Sequence, residues 1–178
     1  MDFHGNNLHL EEEPSAAQVV AALEKELPKE PFKEVVFCGY GEPTMRLDVL
    51  LLVAQTLSGW RAQAKYPPFK IRLNTNGLGN LINKRDIVPL LRKNIDRVSV
   101  SLNAPDEKTW RELVRPMAGY ENGYNSVVEF IRLCVAAKFE RVVASCVDKT
   151  IAAPQAVCQI ALEIGAEFYL RSFLDAQS

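Results

Sequence analysis

The 178-residue chain is short of several things at once. Its four cysteines, Cys38, Cys134, Cys146 and Cys158, form no C-x-x-C or C-x-x-x-C-x-x-C pair or triplet. That removes the usual signature of a zinc ribbon, a thioredoxin-like redox site or a clustered metal site. The last three recur every twelve residues, but each falls in an apolar segment, and all four are expected to be reduced, buried, structural thiols. No apolar run is long enough to span a bilayer. Met1–Asn7 has neither a basic nor an apolar stretch, so a signal peptide is not expected there and the cytoplasm is the expected location. A formal net charge of −1 supplies no basic field for nucleic acid or an anionic membrane. Histidine is scarce: His4 and His9 both lie in an unpatterned N-terminal stretch and are expected to face solvent. There is no glycine-rich phosphate loop, internal repeat, linker or low-complexity segment, so a single domain is expected.

What is present is an alternation of helical and extended patterns, in a chain that is 48% hydrophobic and 24% charged. Nothing before Pro14 shows periodicity, and Glu11–Glu13 reads as a solvated entry to a helix. Ser15 is a good N-cap for a helix over 16–27. Strands are expected over 35–38, 70–74, 97–102, 141–147 and 168–171. Helices are expected over 47–63, 86–94, 106–114, 122–137 and 154–164, the last closed by Gly165. Strict alternation argues for parallel βαβ units, as a barrel segment or an open doubly wound sheet.

One stretch, Glu34-Val35-Val36-Phe37-Cys38-Gly39-Tyr40-Gly41-Glu42-Pro43-Thr44, stands out. Its first half suits a strand buried on both faces. It breaks into two glycines, one carboxylate and a proline, a turn suited to a small polar ligand with an amino group for Glu42. An ordinary strand-to-helix turn accounts for the same residues equally well. The later strands add polar character. Ile71, Leu73 and Thr75 alternate with Arg72, Asn74 and Asn76, and Val98, Val100 and Leu102 alternate with Ser99, Ser101 and Asn103. Ser145 interrupts an otherwise apolar strand. Polar residues gathered toward C-terminal strand ends point to a polar cavity within the sheet's curvature, the alternative being a polar network satisfied internally.

Gly39-Tyr40-Gly41-Glu42-Pro43 resembles the "GGEP" motif of radical S-adenosylmethionine (SAM) enzymes, and the wording from Val35 to Thr44 is closest to TatD-associated radical SAM proteins. Thr75-Asn76-Gly77 resembles the "TNG" end of their third strand, Ser101-Leu102-Asn103-Ala104-Pro105 their fourth, and Arg115-Pro116 an "RP" element. The resemblance runs from about Leu10 to Arg171. It implies a partial (β/α)6 TIM-like barrel of parallel strands, with 35–38 as the second strand, 168–171 as the sixth, and the first strand missing. It further implies an SAM-binding core. Gly39, Tyr40, Gly41, Glu42 and Pro43 would lie at the methionine amine. Asn74, Asn76, Ser101, Asn103, Arg115 and Ser145 would line the remainder. In the family SAM is cleaved reductively by an electron from a 4Fe–4S cluster on three cysteines, and this chain has no such triplet. The resemblance therefore implies either an N-terminally truncated, inactive core or a degenerate, non-catalytic domain that binds a nucleotide or a protein. An edge at 35–38 left unpaired would invite another chain. An unrelated α/β barrel enzyme acting on a phosphorylated metabolite ranks last. No catalytic acid or base, and no substrate, can be read from the sequence.

Overall fold

The computed structural model describes residues 2–3, 6–7, 12–39, 41–148 and 153–172. His4, His9 and Tyr40 lie outside the described residues. The chain forms two compact units, Met1–Pro31 and Phe32–Ser178. In the first, β1 (Asp2–Phe3) pairs antiparallel with β2 (Asn6–Asn7), a hairpin for which the sequence has no periodic signal. Helix α1 (Ala16–Glu26) starts at Ser15. The Ser15 hydroxyl accepts from the Gln18 amide while the Gln18 side chain accepts from the Ser15 amide, a reciprocal cap.

The second unit carries the sheet. Strand β3 (Glu34–Phe37) is followed by a 3-10 turn (Pro43–Arg46) that runs into α2 (Leu47–Ala62). Then come β4 (Lys70–Thr75), α3 (Gly79–Ile82), α4 (Val88–Leu91), β5 (Arg97–Ser101), α5 (Glu107–Val114), α6 (Gly123–Ala136), β6 (Arg141–Val147), α7 (Pro154–Ile164) and β7 (Glu167–Arg171). The five strands are parallel and lie in chain order, β3-β4-β5-β6-β7. A doubly wound sheet reverses direction once; this one never does, which decides for a barrel segment.

Two expectations are corrected. The single helix expected over 86–94 is shorter, Val88–Leu91, and a further short helix, Gly79–Ile82, precedes it; side-chain oxygens of Asn80 and Asp86 accept from the Ile87 and Val88 amides and hold the turn between the two. The strand at β3 is not buried on both faces: all four residues are half-exposed, and among the described residues β4 is its sole strand partner.

The alternation read from sequence sorts the two faces. Ile71, Leu73, Val98, Val100, Leu102 and Ala144 are sealed from solvent on the outer face. Helix α6 lies on β5 and β6, and α7 on β6 and β7, and they add Phe130, Ile131, Val157 and Ala161 to that layer. Each such side chain contributes about 1.5–3 kcal/mol when fully buried. The opposite face is mostly polar, with Val36 and Val143 among its residues. At its N-terminal end Glu34 pairs with Arg72 and Arg97, and Glu140 with Arg97 and Lys70. Arg141 forks onto Glu167 at 2.6–3.0 Å. These ion pairs tie the strand starts together and leave the other end of the same face to the cavity. Among the described residues no helix is long and apolar enough to cross a membrane.

Candidate functional site

The strand ends open onto a cavity of about 370 Å³, within the range of small-molecule sites. Its lining comes from every strand of the five-stranded sheet. The β3 end gives Cys38, Gly39, Gly41 and Glu42. The β4 end gives Asn74, Thr75 and Asn76. From β5, β6 and β7 come Ser99 and Ser101, Ser145, and Arg171 respectively.

Glu42 is the best-anchored group. It ends the loop after β3 in an extended conformation, immediately before Pro43 opens the 3-10 turn. Its Oε1 accepts from the Thr44 amide at 3.1 Å and from the Thr44 and Thr75 hydroxyls at 2.7 Å. Its Oε2 accepts from the Asn76 amide at 2.7 Å. Thr44 and Thr75 are both buried. One carboxylate thus ties the ends of β3 and β4 together. An ionised carboxylate offers about four acceptor positions, two per oxygen, so Oε2 keeps room for another donor.

The turn after β4 is held by Thr75 and Asn76, whose oxygens accept from the Gly77 and Leu78 amides. The Asn76 side chain is therefore used locally, and its backbone faces Glu42. Gly77 has φ +82°, and a Cβ there would stand 2.7 Å from Val100 Cγ1 and 2.9 Å from Val127 Cγ1. Left-handed backbone and close packing both demand glycine. Gly39 and Gly41 differ. A Cβ on Gly41 would meet nothing within 4 Å, so these glycines leave the backbone open rather than relieving a clash.

Two polar atoms in the lining are buried without a hydrogen-bond partner: Asn74 Oδ1 and Arg171 Nε. The Ser145 hydroxyl is buried and donates weakly to the Val100 carbonyl at 3.4 Å. Arg171 donates from one terminal nitrogen to Asn103 Oδ1 at 2.7 Å.

Of the residues expected here, Gly39, Gly41, Glu42, Asn74, Asn76, Ser101 and Ser145 line one cavity. Three stand elsewhere. Pro43 builds the 3-10 turn, Asn103 stands behind Arg171, and Arg115 is an exposed helix end in left-handed backbone, φ 49°, outside the lining. The arginine in the cavity is Arg171. The residues implied by the resemblance did not include it, nor Thr75, Ser99 or Cys38, although Ser99 belongs to the polar face read from the alternation and Arg171 shares the inward parity of its strand. Cys38 corrects the expectation of four buried thiols. It is exposed at the cavity, Cys158 is half-buried, and Cys134 and Cys146 are buried. Burial pushes the Cys134 thiol up to about 12 and raises that of Cys146.

Residues 5–151 match the Radical SAM superfamily, most of the chain. The chain belongs to the radical SAM superfamily. A crystal structure of a radical SAM methyltransferase from Sphaerobacter thermophilus matches with a TM-score of 0.53 at 19% identity, over 90% of this chain and 57% of that one. The likeness is one of fold, and the chain spans little more than half of that neighbour's length. No curated protein matches the sequence.

Superfamily members use SAM and a 4Fe–4S cluster, and the two fare differently here. The orphaned Asn74 acceptor, the spare capacity on Glu42, the serines and the Arg171 donor complement a ligand with amine, hydroxyl and carboxylate groups, so the cavity fits SAM. A cluster needs closely placed thiolates. Cys38 is the lone thiol in the lining, and among the described residues no three metal-binding side chains stand together. These residues do not fit the cluster.

Proposed function

We propose that this radical SAM protein is an SAM-binding core, nearest in sequence wording to the TatD-associated proteins of the superfamily. The observation that carries the reading is Glu42, fixed across two strand ends at the cavity with an acceptor position in hand. In this assignment Glu42 accepts from the methionine amine, and Gly39 and Gly41 let that group approach the backbone. Asn74 Oδ1 accepts from a ligand hydroxyl or amine, and Ser101 and Ser145 complete the polar wall. Bound SAM supplies a sulfonium whose carbon–sulfur bond is cleaved in this superfamily by an electron from an iron–sulfur cluster. No such electron source is assigned to the residues here, so their role is to bind and orient. A second reading, a non-catalytic domain that binds another nucleotide, draws support from the poor fit to a cluster.

Calorimetric titration with SAM and, separately, with ATP decides between them. One-site SAM binding is expected, weakened at least tenfold, about 1.4 kcal/mol, in Asn74→Ala and in Glu42→Gln. Folded wild-type protein that binds ATP but not SAM would overturn the first reading in favour of the second.

A further inference from the structure

Strand β7 closes one end of the sheet, and among the described residues β6 is its sole strand partner. Its other edge offers the backbone groups that a further strand would use. Those groups point alternately to the two sides of a strand. The Arg171 carbonyl accepts from the Asp148 amide at 2.8 Å, on the β6 side. Glu167 and Tyr169 share that side, so Phe168 and Leu170 turn their N–H and C=O groups to the free edge. The edge is apolar as well as open. Tyr169 is 60% exposed and Leu170 40%, and Leu162 on α7, the helix packed on β7, is 60% exposed.

The sequence of the strand says what fits there. Glu167-Phe168-Tyr169-Leu170-Arg171 is complementary to its own reverse. Laid antiparallel on a second copy and centred on Tyr169, it sets Glu167 opposite Arg171, Phe168 opposite Leu170 and Tyr169 opposite Tyr169. Phe168 and Leu170 are then the hydrogen-bonded pairs, as their outward backbone groups require, and the two tyrosines form the closer, non-hydrogen-bonded pair. Opposite charges and aromatic pairs placed directly across are the favourable cross-strand combinations. Moving the register two residues either way leaves both charges without an opposite. Glu167 already holds Arg141, whereas Arg171 is held by the neutral Asn103 oxygen and gains a carboxylate across the pair. Strand β3, at the other end of the sheet, has no such symmetry. Reversed on itself it sets Glu34 against Phe37, and Glu34 already pairs with Arg72 and Arg97.

We propose that two copies of this chain associate edge to edge, β7 against β7, about a two-fold axis at the Tyr169 pair. The contact is isologous, so it closes at two copies and leaves no β7 edge free for a third. It does not depend on what the cavity binds.

The test begins with sedimentation of the full chain over a wide range of concentration, where a reversible monomer–dimer equilibrium is expected. Tyr169→Lys sets two like charges across the axis and is expected to weaken the dimer at least tenfold. Leu52→Lys, at a similarly exposed residue of α2, is expected to leave it unchanged. Thermal unfolding of dilute protein confirms that each variant is folded. Cross-linking then reads the register. Cα atoms of a non-hydrogen-bonded pair stand about 4.5 Å apart, within disulfide reach. In a chain carrying Cys38→Ser, Tyr169→Cys with oxidised glutathione is expected to give a covalent dimer, and Leu52→Cys is not. A monomer at every concentration overturns the proposal, as does a dimer that Tyr169→Lys leaves intact or an assembly that grows past two copies. A dimer lost in Tyr169→Lys but without the cross-link at 169 overturns the self-paired register.

Discussion

Replacing Glu42 with glutamine keeps the side chain's size and removes one acceptor oxygen. With the amide carbonyl at the Oε1 position, the three bonds from Thr44 and Thr75 survive, but the new NH2 faces the Asn76 N–H across what was a 2.7 Å bond. Turned the other way, the NH2 faces three donors. The first arrangement is the less costly, and it still loses a charge-assisted bond, worth about 1.5–3 kcal/mol, and adds a donor facing a donor. The three surviving bonds also go from a charged to a neutral acceptor. We expect a loss of about 2–4 kcal/mol, against a total stability for ordinary domains of about 5–15 kcal/mol, so the variant stays folded. Trp60 and Trp110 are both buried in the second unit and report its unfolding. In urea, with a slope of about 2 kcal/mol/M, the midpoint should fall by about 1–2 M. A fall below about 0.3 M would refute the view that Glu42 ties β3 to β4. Weakened SAM binding in this variant must be read against that loss, which is why Asn74→Ala, at an atom with no partner, accompanies it.

Gly77→Ala forces left-handed backbone on alanine, at about 1–2 kcal/mol, and drives a methyl into Val100 and Val127, at about 1–3 kcal/mol. Urea unfolding should show the sum, and Val127→Ala in the same chain should recover only part of it. Glu140 is held to about 2 by its bonds to Lys70 and Arg97, well below its unfolded value. Its contribution to stability is present above about pH 4.3, the unfolded value, and is lost as pH falls toward 2. The gap in urea midpoint between wild type and Glu140→Gln should therefore shrink from pH 7 to pH 2.5; a constant gap would count against these pairs. Cys38 should be the single fast thiol toward a disulfide reagent, absent in Cys38→Ser and slowed by SAM, while the buried Cys134 and Cys146 react only on unfolding.

Half of the site was legible in the residues alone. In β4 and β5 one face is apolar and the other polar, and a period of two survives in sequence whatever the strands pack against. Glycines, a carboxylate and a proline in succession mark a chain break with a charge in it. These local signals marked Glu42 as a charged turn and Asn74, Asn76, Ser101 and Ser145 as polar strand ends; the structure lines one cavity with all five. They could not say what Glu42 binds, because its partner Thr75 lies 33 residues away. Nor could they separate Arg171 from Arg115. Both end an element, and the difference lies in a bond to Asn103, 68 residues from Arg171.

The sequence by itself determined the order and type of the main elements, the outer apolar face and the polarity of the inner one, because each follows from the spacing of neighbouring residues. The tertiary structure alone decided three things. It left Cys38, just after β3, exposed at the cavity. It shortened the helix expected over 86–94 to Val88–Leu91, behind a turn held by the side chains of Asn80 and Asp86. It also brought Arg171 across β6 to Asn103. The first and last depend on which strand lies beside which, and that is set by assembly of the sheet rather than by any run of residues within it; the second depends on side-chain caps that periodicity does not show.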